Sequence, residues 1–365
     1  MSELKGTPFH ALHVKNKAKI VEFADYLMPI QFRGIMEEHR KIRSTVGLFD
    51  ITHMGEFEVW GDDAETFVQR MTTNDVSKLE TYQVQYSCMC YDHGGIVDDL
   101  LVYRLPDHFL LVVNGACLEK DFVWLSDHLS GEVELKNVSE QTALLALQGP
   151  KAEDVLKKLT DENLSDLRFY WSTWGKVNGI EMLFSRTGYT GEDGFELYFS
   201  PEHAESMWEA LMEAGEEFDI EPIGLGARDS LRLEMKYMLY GNDIDQTTNP
   251  LEAGLGWIVK LDKGDFLGKE PILKLKQEGL KRKLVAFELK DQAFPRPHYQ
   301  IQKDGKRIGE VTSGTFSPSL KKGIGLGYVP VEYSRTGTEL DIMIRGKPQK
   351  GIVVKPPFYK NFTHK

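Results

Sequence analysis

Three cysteines in 365 residues are too few, and too odd a number, for a disulfide framework. With no secretion signal in the sequence, Cys88, Cys90 and Cys117 read as reduced thiols. Cys88 and Cys90 stand two apart in an expected strand and so share a face, but nothing supplies further ligands at zinc spacing; packing is the reading, and no metal site is expected. Long apolar runs are missing as well, so neither a membrane span nor a cleavable leader is expected, and the cytoplasm is the expected location. Nucleotide loops are also wanting. Gly-Leu-Gly occurs at 224–226, 254–256 and 325–327, yet none completes GxGxxG between a strand and a helix, and no phosphate-loop Gly-Lys-Ser/Thr appears. With no GxSxG elbow and no HExxH helix either, acid–base and positional chemistry around a bound organic cofactor is left.

What is present fits a soluble globular chain. Hydrophobic residues make up 41% and charged residues 27%, and the length suggests two or three domains. The net charge of −12 hides an asymmetry: residues 271–365 hold 19 Lys and Arg against 8 Asp and Glu, whereas the first 270 hold 25 against 48. The acidic body speaks against a nucleic-acid cradle. The basic C-terminal module is either a solvated surface or a docking face for an acidic partner.

Strand, turn and helix follow one another in three segments, from Glu56, Leu145 and Glu196, a pattern of α+β layering. A helix is expected after Met36, behind a loop carrying Met28 and Pro29. Two strands joined by the Asp92–Gly95 turn, and a third in FLLVVNGA, are expected next. From Lys283 short strands with turn signals at 303–305 and 345–347 suggest a small antiparallel barrel. The boundary, near 270–283, coincides with the change of charge.

Two stretches carry the chemistry: SRTGYTGEDGFE (Ser185 to Glu196) and GLGARDSLRLE (Gly224 to Glu234). Glycines at 188, 191 and 194 permit positive φ or close approach to a flat ligand, and Tyr189, Glu192, Asp193 and Glu196 bring an aromatic face and carboxylates there. Glu196 points away from Phe195, Leu197 and Phe199, with Tyr198; it is either an exposed strand residue or an acceptor for an amino-pyrimidine edge. Arg228 begins a helix, against its dipole, on a stripe with Leu231, Met235 and Met238. That makes it a buried ion-pair member or a ligand clamp. After the GGIV turn, alternation puts Asp99 with Val97, Leu101 and Tyr103, and Asp98 with Ile96, Leu100, Val102 and Arg104, so that only Asp98 has a same-face arginine. Asp99, on an apolar face, is either a turn feature or a proton acceptor with a raised pKa. Asn114 could present an amide to the same pocket.

At these residues the sequence resembles the T protein of the glycine cleavage system, the tetrahydrofolate-dependent aminomethyltransferase family. The resemblance runs nearly end to end, through GLFDITHMGE, TND, GGIVDDL, LQGPKA, SRTGYTGEDGFE, GARDSLRLE, YGNDID, VTSGTFSPSL and PPFYK. It implies an α+β cloverleaf of two folate-enclosing α/β lobes with antiparallel sheets (1–270, discontinuous in sequence) plus a C-terminal antiparallel β-barrel (280–365). The implied reaction passes the methylene carbon of an aminomethyl group, carried on the lipoyl arm of the H protein, to tetrahydrofolate. The products are 5,10-methylenetetrahydrofolate, ammonia and the dihydrolipoyl H protein. Asp99 is the implied catalytic residue. Glu196 and Arg228 correspond to the folate-contacting pair, with Tyr86, Asn114, Tyr189 and Tyr237 as walls or hydrogen-bonding neighbours, Met54 as apolar lining, and Lys360, Asn361 and Phe362 as tail residues of the pocket. H proteins are acidic, which makes the basic C-terminal module their implied docking face. Folate-dependent demethylases and a folate-binding accessory protein of iron–sulfur maintenance share this fold. The accessory proteins carry a KGCYxGQE run that this chain lacks.

Overall fold

The computed structural model describes residues 4–364, arranged as four sheets with helices packed against them. A five-stranded antiparallel sheet runs in the order Val84–Cys90, Ile96–Arg104, Phe109–Val113, Gly55–Trp60, Glu134–Asn137. Helices Ala64–Met71 and Leu118–Asp127 cover one of its faces, burying Phe67, Val68, Met71 and Leu125 against Phe57, Val59, Leu100, Val102 and Leu111. A six-stranded sheet runs Ser172–Val177, Ile180–Ser185, Gly194–Phe199, Ala143–Gln148, Gly47–Asp50, Glu221–Ile223, antiparallel except for its last pair. Phe195, Leu197 and Phe199 point outward from it onto helix Ala204–Ala214, as alternation expects. The inner faces of the two sheets meet through Ile51, Tyr103, Val112, Leu144, Leu183 and Tyr198.

Six antiparallel strands from Arg282 to Val354 close into a barrel, Lys347–Val354 pairing back onto Arg282–Leu289. Two of its hairpins turn on Asp304-Gly305 and Arg345-Gly346, where both central residues have positive φ, the conformation whose twist suits a two-residue hairpin. Thus an α+β fold with antiparallel sheets in the lobes and a closed C-terminal barrel is what forms.

Helix Leu225–Met235 wedges between the sheets and the barrel. Its Ala227 and Leu231 pack between the sheets. On the barrel side, Arg232 meets Asp243 at 2.6 Å and Ser313 at 2.9 Å. Glu234 meets Ser319 Oγ at 2.9 Å, His39 Nε2 at 3.2 Å and Arg43 at 2.8 Å. These fully partnered buried charges fix the barrel against the body.

Three local expectations change. Met28 and Pro29 lie in a strand, Tyr26–Gln31, not a loop, and Met28 is wholly buried. Helix Leu225–Met235 ends at Lys236, in the left-handed region at φ 60°, so Met238 is beyond the stripe that holds Arg228, Leu231 and Met235. In Ile96–Arg104 the pairing with Val84–Cys90 skips Val97, a β-bulge. The extra residue turns Val97 over to join Leu100 and Val102 in the helix-side core, away from Asp99.

Candidate active site

One cavity of about 780 Å³ opens between the inner faces of the two sheets, helix Leu225–Met235 and the segment around Pro356 and Pro357. Its size is that of pockets that enclose drug-sized ligands. Met54, Tyr86, Asp99, Asn114, Tyr189, Glu196, Arg228 and Tyr237 all line it. Eight residues spread from Met54 to Tyr237 thus converge on one space.

Asp99 reaches the cavity because its strand continues regularly after the bulge. Tyr86, nearly opposite on the neighbouring strand, donates its hydroxyl to Asp99 Oδ2 at 2.8 Å. Asn114, just past the Phe109–Val113 strand, donates Nδ2 to Asp99 Oδ1 at 3.0 Å. Burial, and then the charge of Asp98, push the Asp99 carboxyl up to about 7, against the pull of those two hydrogen bonds. A carboxylate so placed exchanges a proton near neutral pH and has both oxygens oriented. Asp98 lies on the other face, wholly buried, and its partner is Asn114, not Arg104; Arg104 pairs with Glu65 at 2.7 Å.

Across the cavity, Glu196 faces inward beside Thr187, whose hydroxyl donates to Oε2 at 2.5 Å. It is 7% exposed, so it is no solvent-facing strand residue. A hydrogen-bonded chain of hydroxyls runs behind it, from Thr187 to Ser185 (2.6 Å), Tyr103 (3.0 Å) and Tyr198 (2.8 Å). Burial raises the Glu196 carboxyl, opposed by Thr187 and by Arg228. Arg228 lies over the Tyr189 ring, its guanidinium carbon 4.7 Å from the centroid, and Tyr189 in turn stacks on Tyr237. Among the described residues no carboxylate comes within ion-pair distance of Arg228, and burial lowers its pKa. A guanidinium on a cavity wall without a carboxylate of its own is suited to a ligand's acceptors.

The protein families and structures this chain resembles agree with that geometry. The profile described as the GCVT N-terminal domain matches residues 9–263, and that of the glycine cleavage T-protein C-terminal barrel domain matches residues 282–360. An aminomethyltransferase of Desulfitobacterium hafniense (strain Y51) is 51% identical over 362 residues, 99% of each chain. One from Caldanaerobacter subterraneus subsp. tengcongensis is 50% identical over 363 residues, 99% of this chain and 97% of its own. The crystal structure of glycine cleavage system aminomethyltransferase T from Bartonella henselae superimposes with a TM-score of 0.93 at 35% identity, covering 99% of this chain and 100% of that one. The chain belongs to the glycine cleavage T-protein family.

Within this T-protein fold the two sequence signatures divide their labour differently from the sequence reading. Of the three glycines, only Gly191 has positive φ, +83°. Gly188 and Gly194 make room for Gln148: a Cβ on Gly188 would lie 2.0 Å from its Oε1. Asp193 meets Arg186 at 2.6–2.7 Å, and Glu192 meets Arg43 at 2.8 Å and Thr363 at 2.5 Å. Those two carboxylates therefore shape the loop and leave the cavity to Tyr189 and Glu196. The C-terminal tail straps the same loop through Thr363 and His364, which stacks on the cavity residue Phe169. Lys360, Asn361 and Phe362 are exposed and stand off the cavity; Pro356 and Pro357 reach it instead. Asn74, Gln83, Gln85, Tyr170, Lys236 and Trp257 also line it. Of these, Asn74 lies in the TND stretch, and Trp257 directly follows Gly254-Leu255-Gly256; Trp257 stands 62% exposed with its ring 6.0 Å from that of Tyr86.

No helix among the described residues is long and apolar enough to cross a membrane.

Proposed function

We propose that the cavity binds tetrahydrofolate and that the chain transfers to it the methylene carbon of an aminomethyl group carried on the lipoyl arm of an H protein, releasing ammonia and the dihydrolipoyl H protein. Membership of the aminomethyltransferase family sets the reaction class. The observation that carries the site is the convergence on one cavity of a doubly oriented carboxyl, Asp99, and a guanidinium, Arg228, that has no carboxylate within ion-pair distance among the described residues.

The residues suit a reduced pterin. Glu196 offers carboxylate oxygens to an amino-pyrimidine edge, Arg228 offers donors to carbonyl or ring-nitrogen acceptors, and Tyr86, Tyr189, Tyr237 and Met54 supply flat and apolar walls. Tetrahydrofolate, when bound, supplies the nitrogens that take up the carbon. Asp99 accepts a hydrogen bond from the attacking N–H and holds the proton that must move as ammonia departs, a role worth about 10²- to 10⁴-fold. Asn114 and Tyr86 keep its oxygens aimed, and the cavity walls hold the reacting groups in place.

Lys283, Lys306, Arg307, Lys321, Arg345 and Lys347 stand exposed on the barrel. They support docking of an acidic H protein there, with an association rate that falls as salt rises.

The test is ammonia release from aminomethyl-loaded H protein, with and without tetrahydrofolate, for the native chain and Asp99→Asn. Folate-dependent release that drops at least about 100-fold in the variant, while folate binding persists, is the expected result. Release indifferent to folate would overturn the reading and favour a demethylase or an accessory role.

A further inference from the structure

Behind Asp99, on the opposite face of its strand, sits a second set of buried polar groups. Asp98 is wholly buried and grips Asn114 twice: Oδ1 accepts from Asn114 Nδ2 at 2.9 Å and Oδ2 from the Asn114 backbone N–H at 3.1 Å. The same Nδ2 donates to Asp99 Oδ1 at 3.0 Å and reaches the Asp99 backbone oxygen at 3.1 Å. The Asp99 backbone carbonyl can only accept, so the amide nitrogen is the atom that faces it, which fixes the amide orientation. Asp98 is itself backed by helix Leu118–Asp127 and the residue before it. Potential ligand atoms of Asp98, Cys117 and Asp121 lie within 4.8 Å of one another. Lys120 sits 2.9 Å from Asp121 and also donates to the backbone oxygen of Val97. Lys120 supplies one positive charge to this group, and burial still raises Asp98 and brings Asp121 up to about 6.

We propose that Asp98 is a positioning residue for the transfer reaction: by holding the Asn114 main chain and side chain together, it aims one amide hydrogen at Asp99 and so fixes which Asp99 oxygen is left to Tyr86 and the substrate. This rests on the function proposed above for Asp99. The bulge at Val97 gives the arrangement its shape, because it lets the strand re-enter its alternation with the two aspartates back to back. Asp98 is closed off from the cavity and acts on the chemistry only through Asn114 and through its charge.

The charged and titratable groups facing the two aspartates are few. Asp99 is faced by Tyr86 and Cys88 from the neighbouring strand and by Tyr170 and Tyr189 across the cavity; Asp98 is faced by Asp121, Lys120, Cys117, Cys88 and Tyr240. Burial and Asp121 raise the Asp98 carboxyl itself. When ionised, Asp98 raises Asp99 more than the Asn114 hydrogen bond lowers it, so Asp98→Asn leaves the Asp99 carboxyl easier to ionise even if the Asn114 amide loosens.

The experiment compares Asp98→Asn, Asn114→Ala and the double variant. Asp98→Asn is expected to lower kcat about 10- to 100-fold, with KM for tetrahydrofolate within about threefold, and to move the acid limb of the kcat pH profile to lower pH. In the double variant the losses should not multiply, because Asp98 acts through Asn114. Multiplying losses, or an acid limb that stays in place, would overturn the proposal. Carboxyl NMR titration of the ligand-free Asp98→Asn protein reads the Asp99 shift without any substrate. A shift there with no folate-dependent release in the native chain would keep the coupling and reject the proposed function; no shift would reject the coupling whatever the reaction.

Discussion

Arg228 and Arg232 stand one turn apart on the same helix, one in the cavity wall and one in the seam against the barrel. At the seam burial pulls the Arg232 pKa down, but Asp243 and Asp229 more than offset it, and Ser313 and the Tyr237 carbonyl take further donors. In the cavity wall burial lowers the Arg228 pKa and Tyr189 and Glu196 do not make up the difference. Carboxylates repeat the contrast. Glu234 at the seam is buried, yet His39, Arg43 and Ser317 outweigh that burial and bring it down to about 2, whereas Asp99 in the wall goes up to about 7. Buried charge that is fully met holds the fold together; buried charge left short is kept for something that arrives from outside.

Substitutions at the two regions should therefore part company. The largest effect is expected from Arg232→Met, which leaves Asp243 buried without its cation and should cost about 3–5 kcal/mol in denaturant unfolding. Next comes the acid limb of stability. The depressed Glu234 pKa gives stability that is present above its ordinary 4.5 and lost as pH falls toward 2. In Glu234→Gln, stability at pH 7 should fall by about 2–3 kcal/mol, and the decline between pH 4.5 and 2 should flatten. Arg228→Met should leave Tm nearly unchanged and weaken tetrahydrofolate binding about 10- to 100-fold by titration calorimetry, the worth of charge-assisted hydrogen bonds. If it unfolds the protein instead, the contrast between wall and seam is broken. Last, and opposite in sign to the seam, comes the effect of Asp99→Asn on stability. A carboxyl raised from 3.8 to about 7 loses stability as pH rises through that interval, so the variant should melt a few degrees higher at pH 8 and level with the native chain at pH 4.

Much of this was legible in the residues. Hydrophobic alternation placed Glu196 opposite Phe195, Leu197 and Phe199, and the turn residues placed the barrel hairpins, because strand parity and positive φ are local properties. Asp99 kept its face for the same reason. Val97 did not: a bulge depends on how the partner strand pairs, and no single strand reports it. Glu192 and Asp193 looked like ligand carboxylates because a loop rich in glycine and acid suits that role, but Arg43 and Arg186, distant in sequence, had claimed them.

The sequence by itself determined the family, the α+β class with its terminal barrel, and the inward faces of the regular strand and helix stretches. Only the tertiary structure decided which of the inward charges are satisfied. Satisfaction depends on what other segments bring within about 3 Å, and the partners of Arg232 and Glu234 come from as far as Ser313 and His39, whereas among the described residues no carboxylate comes within ion-pair distance of Arg228.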